Sequence, residues 1–461
     1  MTFDPLLAVT RFGLGPSPRH ALPRSVSELF DEAAAPDPFA RSHPFLTMAE
    51  IVAREHEHRM LREAARKVAG TDEELKLRDQ MRAISRGLRA REIRDFRHML
   101  VRVTGLQFAF TERLVAFWTD HFSATGLQLY QYGVGSLVAE AIRPHIMGSF
   151  AEMLSAVIRH PVMLLYLDQV SSVGENSAAA QRRRVLGLNE NLAREVLELH
   201  TLGVEGPYTQ RDVRELAELF TGLSVKRGEG FAFRPRWAEP GAEEVLGQLY
   251  GGPGAPDGLP AIDAALADLA VHPTTAAHLA RKLAIHFVSD RPDDALVSHM
   301  AARYAAADGD LGALVAAMLE HPASWNPVRD NVKSPLCFVT SALRALNFSP
   351  DDVLALDDRE IQRSLRVAMQ PMGMIWHRPP DPSGWPEEDE AWVTPQAVAA
   401  RINWAMREPS QLMDELPDPR DLLRVIAGDE PPGELAFAAR SAERVAEGVG
   451  IVLASPTFQR R

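Results

Sequence analysis

One cysteine, Cys337, stands in the whole chain. An internal disulfide is therefore excluded, as are zinc and iron–sulfur sites built on several thiolates, so any metal would fall to His, Asp, Glu or Asn. Long apolar runs are missing as well. No stretch approaches the roughly 18 residues of a spanning helix, and the opening MTFDPLLAVTRFGLGPSP has no basic region followed by an apolar one. The expectation is a soluble, cytoplasmic protein with no membrane span. Lysine is confined to Lys67, Lys76, Lys226, Lys282 and Lys333, so nearly all positive charge is arginine, a bias that reads as composition before chemistry. The formal net charge of −12 is the wrong sign for a protein that must neutralise phosphates, and no nucleic-acid partner is expected.

What is present is apolar material and helical period. With 461 residues, 46% of them hydrophobic, the chain has enough to bury a large core. Alternating β-branched runs joined by Asn-Gly or Asp-Gly turns are nearly absent, so the fold class is all-α, a large multi-helix array. The expected organisation is one body or two packed lobes, residues 1–225 and 261–461, joined by an irregular Gly/Pro-rich loop over 226–260 with room for a small hairpin. Residues 48–104 predict two charged surface helices broken at Gly70-Thr71-Asp72. Further helices are predicted over 105–123, 144–159, 189–202 and 209–222. The third ends at Gly203, suited to a left-handed cap; the fourth opens on Thr209 with Asp212 in capping-box spacing.

The 189–202 segment, NENLAREVLELHTL, concentrates the polar chemistry. On an ideal wheel Leu192, Ala193, Val196, Leu197 and Leu199 cover one half, whereas Asn191, Arg194, Glu195 and Glu198 form a stripe opposite. Two carboxylates three residues apart beside an Asn and an Arg can chelate a hard cation, share a proton, or be salted by the Arg. His200 lies well away from that stripe, where a core imidazole bonded to a carbonyl is the simple reading. In the 105–123 helix, Phe110, Leu114 and Phe117 make an apolar stripe with His121 in its middle, so this ring needs a partner: a structural acceptor, a metal, or a proton-transfer role. Asp120 projects sideways and is expected at the surface or as a cap. His145, Ser149 and Glu152 share a polar helix side that fits exposure. No dinucleotide, phosphate-loop, zincin or serine-elbow motif is present.

Several segments carry a resemblance. Thr10-Arg-Phe-Gly-Leu-Gly15, Glu112-Arg-Leu-Val-Ala-Phe-Trp-Thr-Asp-His-Phe122, His160 to Asp168, the segment from Asn189 to Gly203, Tyr208-Thr209-Gln210, Lys333-Ser-Pro335, Gly384-Trp385-Pro386 and Arg401 resemble the bacterial domain of unknown function 1800 family over nearly the whole chain. The resemblance implies no settled activity. It implies that members are often exported and often encoded beside the domain of unknown function 1501 family, which makes that family a possible partner. The chain departs from the pattern in lacking an export signal, in Leu223 where a Trp is usual, and in Ala238 where a His is typical.

Two classes of function follow. One is a metal-dependent enzyme, hydrolytic or oxidative, with His121, Glu195 and Glu198 as ligands to a divalent ion and His200 as a further candidate ligand. Glu195, Glu198 and Arg194 would act catalytically, Asn189 and Asn191 would bind cofactor, and the loop 228–254 would form a lid. The other is a non-catalytic scaffold or partner protein in which the same residues form a buried ion-pair network.

Overall fold

The computed structural model describes residues 3–182, 187–252 and 258–461. Helices dominate, as the period of the sequence predicts. Thr47 and Glu50 close a capping box that starts α1 (Met48–Lys67), and Thr71 caps α2 (Asp72–Gly105), so the break falls where expected. The charged surface does not extend through α2. Its second half carries Phe96, Leu100, Val101 and Val103 fully buried, because there it passes between two hydrophobic cores.

Next come α3 (Phe110–His121), α4 (Phe150–Arg159) and α5 (Asn191–Glu195), the last continuing as a π-helix, Val196–Thr201. Leu202 N–H donates to Leu197 O at 3.0 Å, a five-residue step that sustains the wider winding. Gly203 follows at φ 85, as its position predicts. The expected Thr209–Asp212 capping box opens α6 (Gln210–Leu219).

Over 226–260 the structure is more regular than the composition suggests. Two antiparallel hairpins form, β1 (Leu223–Lys226) with β2 (Gly230–Phe233) and β3 (Ala242–Val245) with β4 (Gln248–Gly251). The second is fastened to α6: Leu246 N–H donates to Asp212 and Glu244 N–H to Glu215. Residues 253–257 of the predicted loop lie outside the described residues.

The predicted lobe boundary is not where the cores divide. The helices α7 (Leu259–Val271) and α8 (Pro273–Phe287), with the segment up to Trp325, pack into the first core with Leu114, Phe117, Leu192 and Val196. The second core joins Phe96 and Leu100 of α2 to α9 (Pro335–Ala345), α10 (Pro395–Arg407) and the C-terminal helices. No helix among the described residues is long and apolar enough to cross a membrane.

The arginines do more than reflect composition. Arg11, Arg102, Arg113, Arg344 and Arg401 are among the largest fully buried side chains. Arg344, on α9, donates to the carbonyls of Gly15, Val103, Leu106 and Gln107 at 2.6–3.0 Å, binding α9 to the end of α2 and the turn into α3. The N-terminal turn fits against the same place: a Cβ on Gly13 would sit 2.2 Å from Phe108 O, so only glycine permits the approach. The start of α3 has no side-chain cap of its own, and Glu32 instead accepts from the N–H groups of Phe108 and Phe110.

Two buried and two part-buried carbonyls left without a donor set the scale of a test. Arg344→Met is expected to lower unfolding stability by at least ~3 kcal/mol, with Arg344→Lys restoring only part, as read by urea denaturation.

Candidate active site

The face of α3 that carries Glu112, Val115, Ala116, Thr119 and Asp120 borders a cavity of about 140 Å3. The facing wall is the start of α9, with Ser334, Leu336, Cys337 and Thr340, and the third is the irregular segment holding Trp376, Trp385, Glu387 and Trp392. His286, near the end of α8, also lines it. Most of the lining is apolar and aromatic, with few polar groups, the usual make-up of a small-molecule site.

Asp120 is not the surface residue its wheel angle predicts. Its Oδ1 accepts the Trp385 N–H at 2.8 Å, and a Cβ on Gly384 (φ 97) would lie 2.7 Å from the carboxyl. Burial, then the charge of Glu387, pushes Asp120 up to about 7. The protonated form is therefore well populated near neutrality.

His286 Nδ1 lies 2.6 Å from Glu387 Oε1, although the two are 101 residues apart in sequence. Burial pushes the imidazole down to about 4, while His286 and the Arg461 and Arg113 charges outweigh burial and hold Glu387 down at about 2. At neutral pH the pair is thus a neutral ring donating Nδ1–H to a carboxylate. Its Nε2 is buried and has no partner among the described residues. Burial sets the charge of the ring, and the contact with Glu387 sets its tautomer and orientation.

The site residues expected from the sequence divide into two groups, and none of them lines this cavity. His121 is buried on α3 and its Nε2 lies 3.1 Å from the His200 carbonyl, while His278 Nε2 lies 3.2 Å from the Leu199 carbonyl. The two imidazoles thereby satisfy carbonyls at the end of the π-helix that its own backbone leaves open. Burial, followed by the Lys282 charge, drives His121, His200 and His278 down, to about 3 for His200 and about 4 for His278, so all three are neutral. The ring of His200 is buried with its Nδ1 unpartnered among the described residues.

The acidic stripe is partly exposed and does not line the cavity. Arg194 bridges Glu190 at 3.2 Å, Glu198 at 3.1 Å and Gln210 at 2.9 Å in a part-exposed ladder. Glu195 is raised to about 7 by burial and then by Glu198 and Asp381, and its Oε2 is buried without a partner among the described residues. Asn189 is fully used as a turn: its Nδ2 donates to Leu167 and Asp168 carbonyls and its Oδ1 accepts from Asn191 N–H. Asn191 is exposed. Neither asparagine is placed as the cofactor-binding residue expected.

No group of three or more His, Cys, Asp or Glu side chains among the described residues is placed to hold a metal ion. The expected shell of His121, Glu195, Glu198 and His200 is not assembled, because the π-helix offers its carbonyl to His121 while Arg194 draws Glu198 outward. The scaffold alternative meets a similar correction. The buried ion pairs are elsewhere, in Arg143 with Glu112 at 2.7 Å, Arg102 with Asp37 at 2.8 Å and Arg366 with Glu92 at 2.7 Å. Residues 228–252, with Ala238 among them, and Leu223 do not line this cavity.

The motifs that seemed scattered meet here: Glu112 and Asp120 on α3, Ser334 at the head of α9, and Trp385 and Pro386 in the third wall. A family model described as protein of unknown function (DUF1800) matches residues 7–460. The chain belongs to that family. No curated protein and no solved structure matches it. Within this DUF1800 chain, the signal that pointed to the cavity was the Gly-Trp-Pro segment, whose glycine admits Asp120. His286 gave a weaker one, lying one turn after Leu283 on an apolar stripe.

The raised Asp120 has a measurable consequence. A carboxyl whose folded pKa exceeds its unfolded one favours folding below the unfolded value and loses that contribution as pH rises through about 7. Asp120→Asn is therefore expected to gain in melting temperature relative to wild type between pH 5 and pH 8, with differential scanning fluorimetry as the readout.

Proposed function

We propose that this protein is an enzyme that transfers protons on a small, largely apolar substrate held in the cavity beside α3. The observation that carries this reading is the His286–Glu387 contact of 2.6 Å, on a ring that lines the same cavity as Asp120 and whose buried Nε2 has no partner among the described residues. His286 serves as the base through Nε2. Glu387 orients the ring and stabilises the imidazolium as it forms. Asp120, protonated below about 7, serves as the acid.

The two environments push the pKa values apart in the sense an acid–base pair needs. Between about 4 and about 7 the imidazole is neutral while the carboxyl keeps its proton. The apolar walls exclude water, which strengthens both interactions, and fit an isomerisation or elimination at carbon as the reaction class.

The test uses the purified chain incubated with a cell extract of small metabolites and read by mass spectrometry. Wild type is expected to convert at least one compound, and His286→Gln and Asp120→Asn to lower that rate by ~100-fold or more with the fold intact by circular dichroism. Conversion that survives both substitutions, or none in wild type, would falsify the assignment.

Metal analysis separates the divalent-ion reading. One metal per chain in wild type, lost in Glu195→Ala, would replace the proton-transfer reading; sub-stoichiometric metal in both is the expected result.

A further inference from the structure

Trp376 lines a second pocket as well, of about 330 Å3, built by segments far apart in sequence. Arg89 and Glu92 come from α2, Gln131 from the tight turn Gln128–Tyr132, Gln362 and Arg366 from the π-helix Ile361–Arg366, and Arg378 follows Trp376 itself. All six side chains line the same space.

Part of that lining is fixed. Arg366 Nη2 meets Glu92 at 2.7 Å, its Nη1 donates to Gln362 Oε1 at 3.2 Å, and its guanidinium lies 5.5 Å over the Trp376 ring. Arg378 Nη2 donates to Gln131 Oε1 at 3.3 Å. A guanidinium only donates, so each glutamine must turn its carbonyl oxygen to the arginine and keep its amide N–H groups for another partner. Those two Nε2 groups have no such partner among the described residues. Neither Arg89 nor Arg378 makes a salt bridge among the described residues, whereas Arg366 has Glu92. The pocket is therefore rich in donors, and three arginines against one carboxylate leave an excess of two positive charges in its lining.

Charge and size together narrow the ligand. A phosphomonoester carries about −1.5 to −2 near pH 7 on three acceptor oxygens, which matches both the excess and the donors; a carboxylate carries only one charge, and a neutral polyol none. The volume is about twice the roughly 150 Å3 that encloses benzene, so a phosphoryl group leaves room for an organic body of about one ring. The net charge of −12 opposes a long phosphate backbone. A single phosphoryl group responds chiefly to charges within a Debye length, about 8 Å at physiological salt, and here those are arginines.

We propose that this pocket binds a small organic phosphomonoester, with Arg89 and Arg378 engaging the phosphoryl oxygens and the amides of Gln131 and Gln362 completing the shell. Arg366, held by Glu92, orients the Gln362 amide. The site shares only Trp376 with the acid–base cavity and does not rest on that reading.

Isothermal titration calorimetry on the full chain compares phenyl phosphate, phenyl sulfate, phenol and inorganic phosphate. Phenyl phosphate is expected to bind wild type at least about tenfold more tightly than each of the others. Arg89→Gln and Arg378→Gln are each expected to lose about tenfold or more of that affinity, and Val367→Glu, which adds a carboxylate to the lining, to abolish binding. All three positions are exposed, so the fold is expected to survive, as checked by circular dichroism. His286→Gln is expected to bind as wild type does. Phenyl sulfate equal to phenyl phosphate shows that the second charge is not read, phenol equal to it that no charge is read, and inorganic phosphate equal to it that the organic body is not held; each overturns the proposal, as does no binding of phenyl phosphate at all. Affinity unchanged in both arginine variants places the anion elsewhere, and affinity lost in His286→Gln places it in the acid–base cavity; either result overturns the proposal too.

Discussion

The Arg344 guanidinium holds the molecule's working geometry. It reaches from α9 to four carbonyls belonging to the N-terminal turn, the end of α2 and the turn into α3. Those are the elements whose next residues form two facing walls of the cavity. A buried cation can sit there because each carbonyl it meets would otherwise be an orphan acceptor, so one side chain satisfies both itself and four backbone groups. Glu32 supplies the complement, accepting the open N–H groups at the start of α3. With the two helices fixed in this way, the side chains of Asp120 and Cys337 border one space.

Electrostatics in that space follow from burial acting on opposite kinds of group. The His286 imidazole is kept neutral and the Asp120 carboxyl is pushed toward protonation. Glu387 is the exception that defines the site, because His286 and two arginine charges outweigh its desolvation. The Arg194 ladder, which runs from α5 onto the π-helix, is partly exposed and screened by solvent.

Much of the architecture was legible because it is local. The break at Gly70-Thr71-Asp72, the Thr209 capping box and the Gly203 terminus depend on a few neighbouring residues and appear as predicted. The second half of α2 misled because its charged residues flank a stripe buried by distant parts of the chain, α9 and the helix Pro350–Ala355 among them. The 189–202 segment misled for a different reason: an ideal wheel assumes α-helical winding, and the switch to π-winding at Val196 hands carbonyls to His121 and His278. Asp120 was misplaced because nothing in its own helix announces that Gly384 and Trp385 will close over it.

The sequence by itself determined the helical class, the absence of a disulfide or thiolate metal cluster, and the family, all of which rest on composition, period and contiguous motifs. Only the tertiary structure decided which polar groups share a cavity. The His286–Glu387 pair and the Asp120–Trp385 contact join residues far apart along the chain. Their chemistry depends on desolvation, and desolvation belongs to the packed molecule, not to any segment of it.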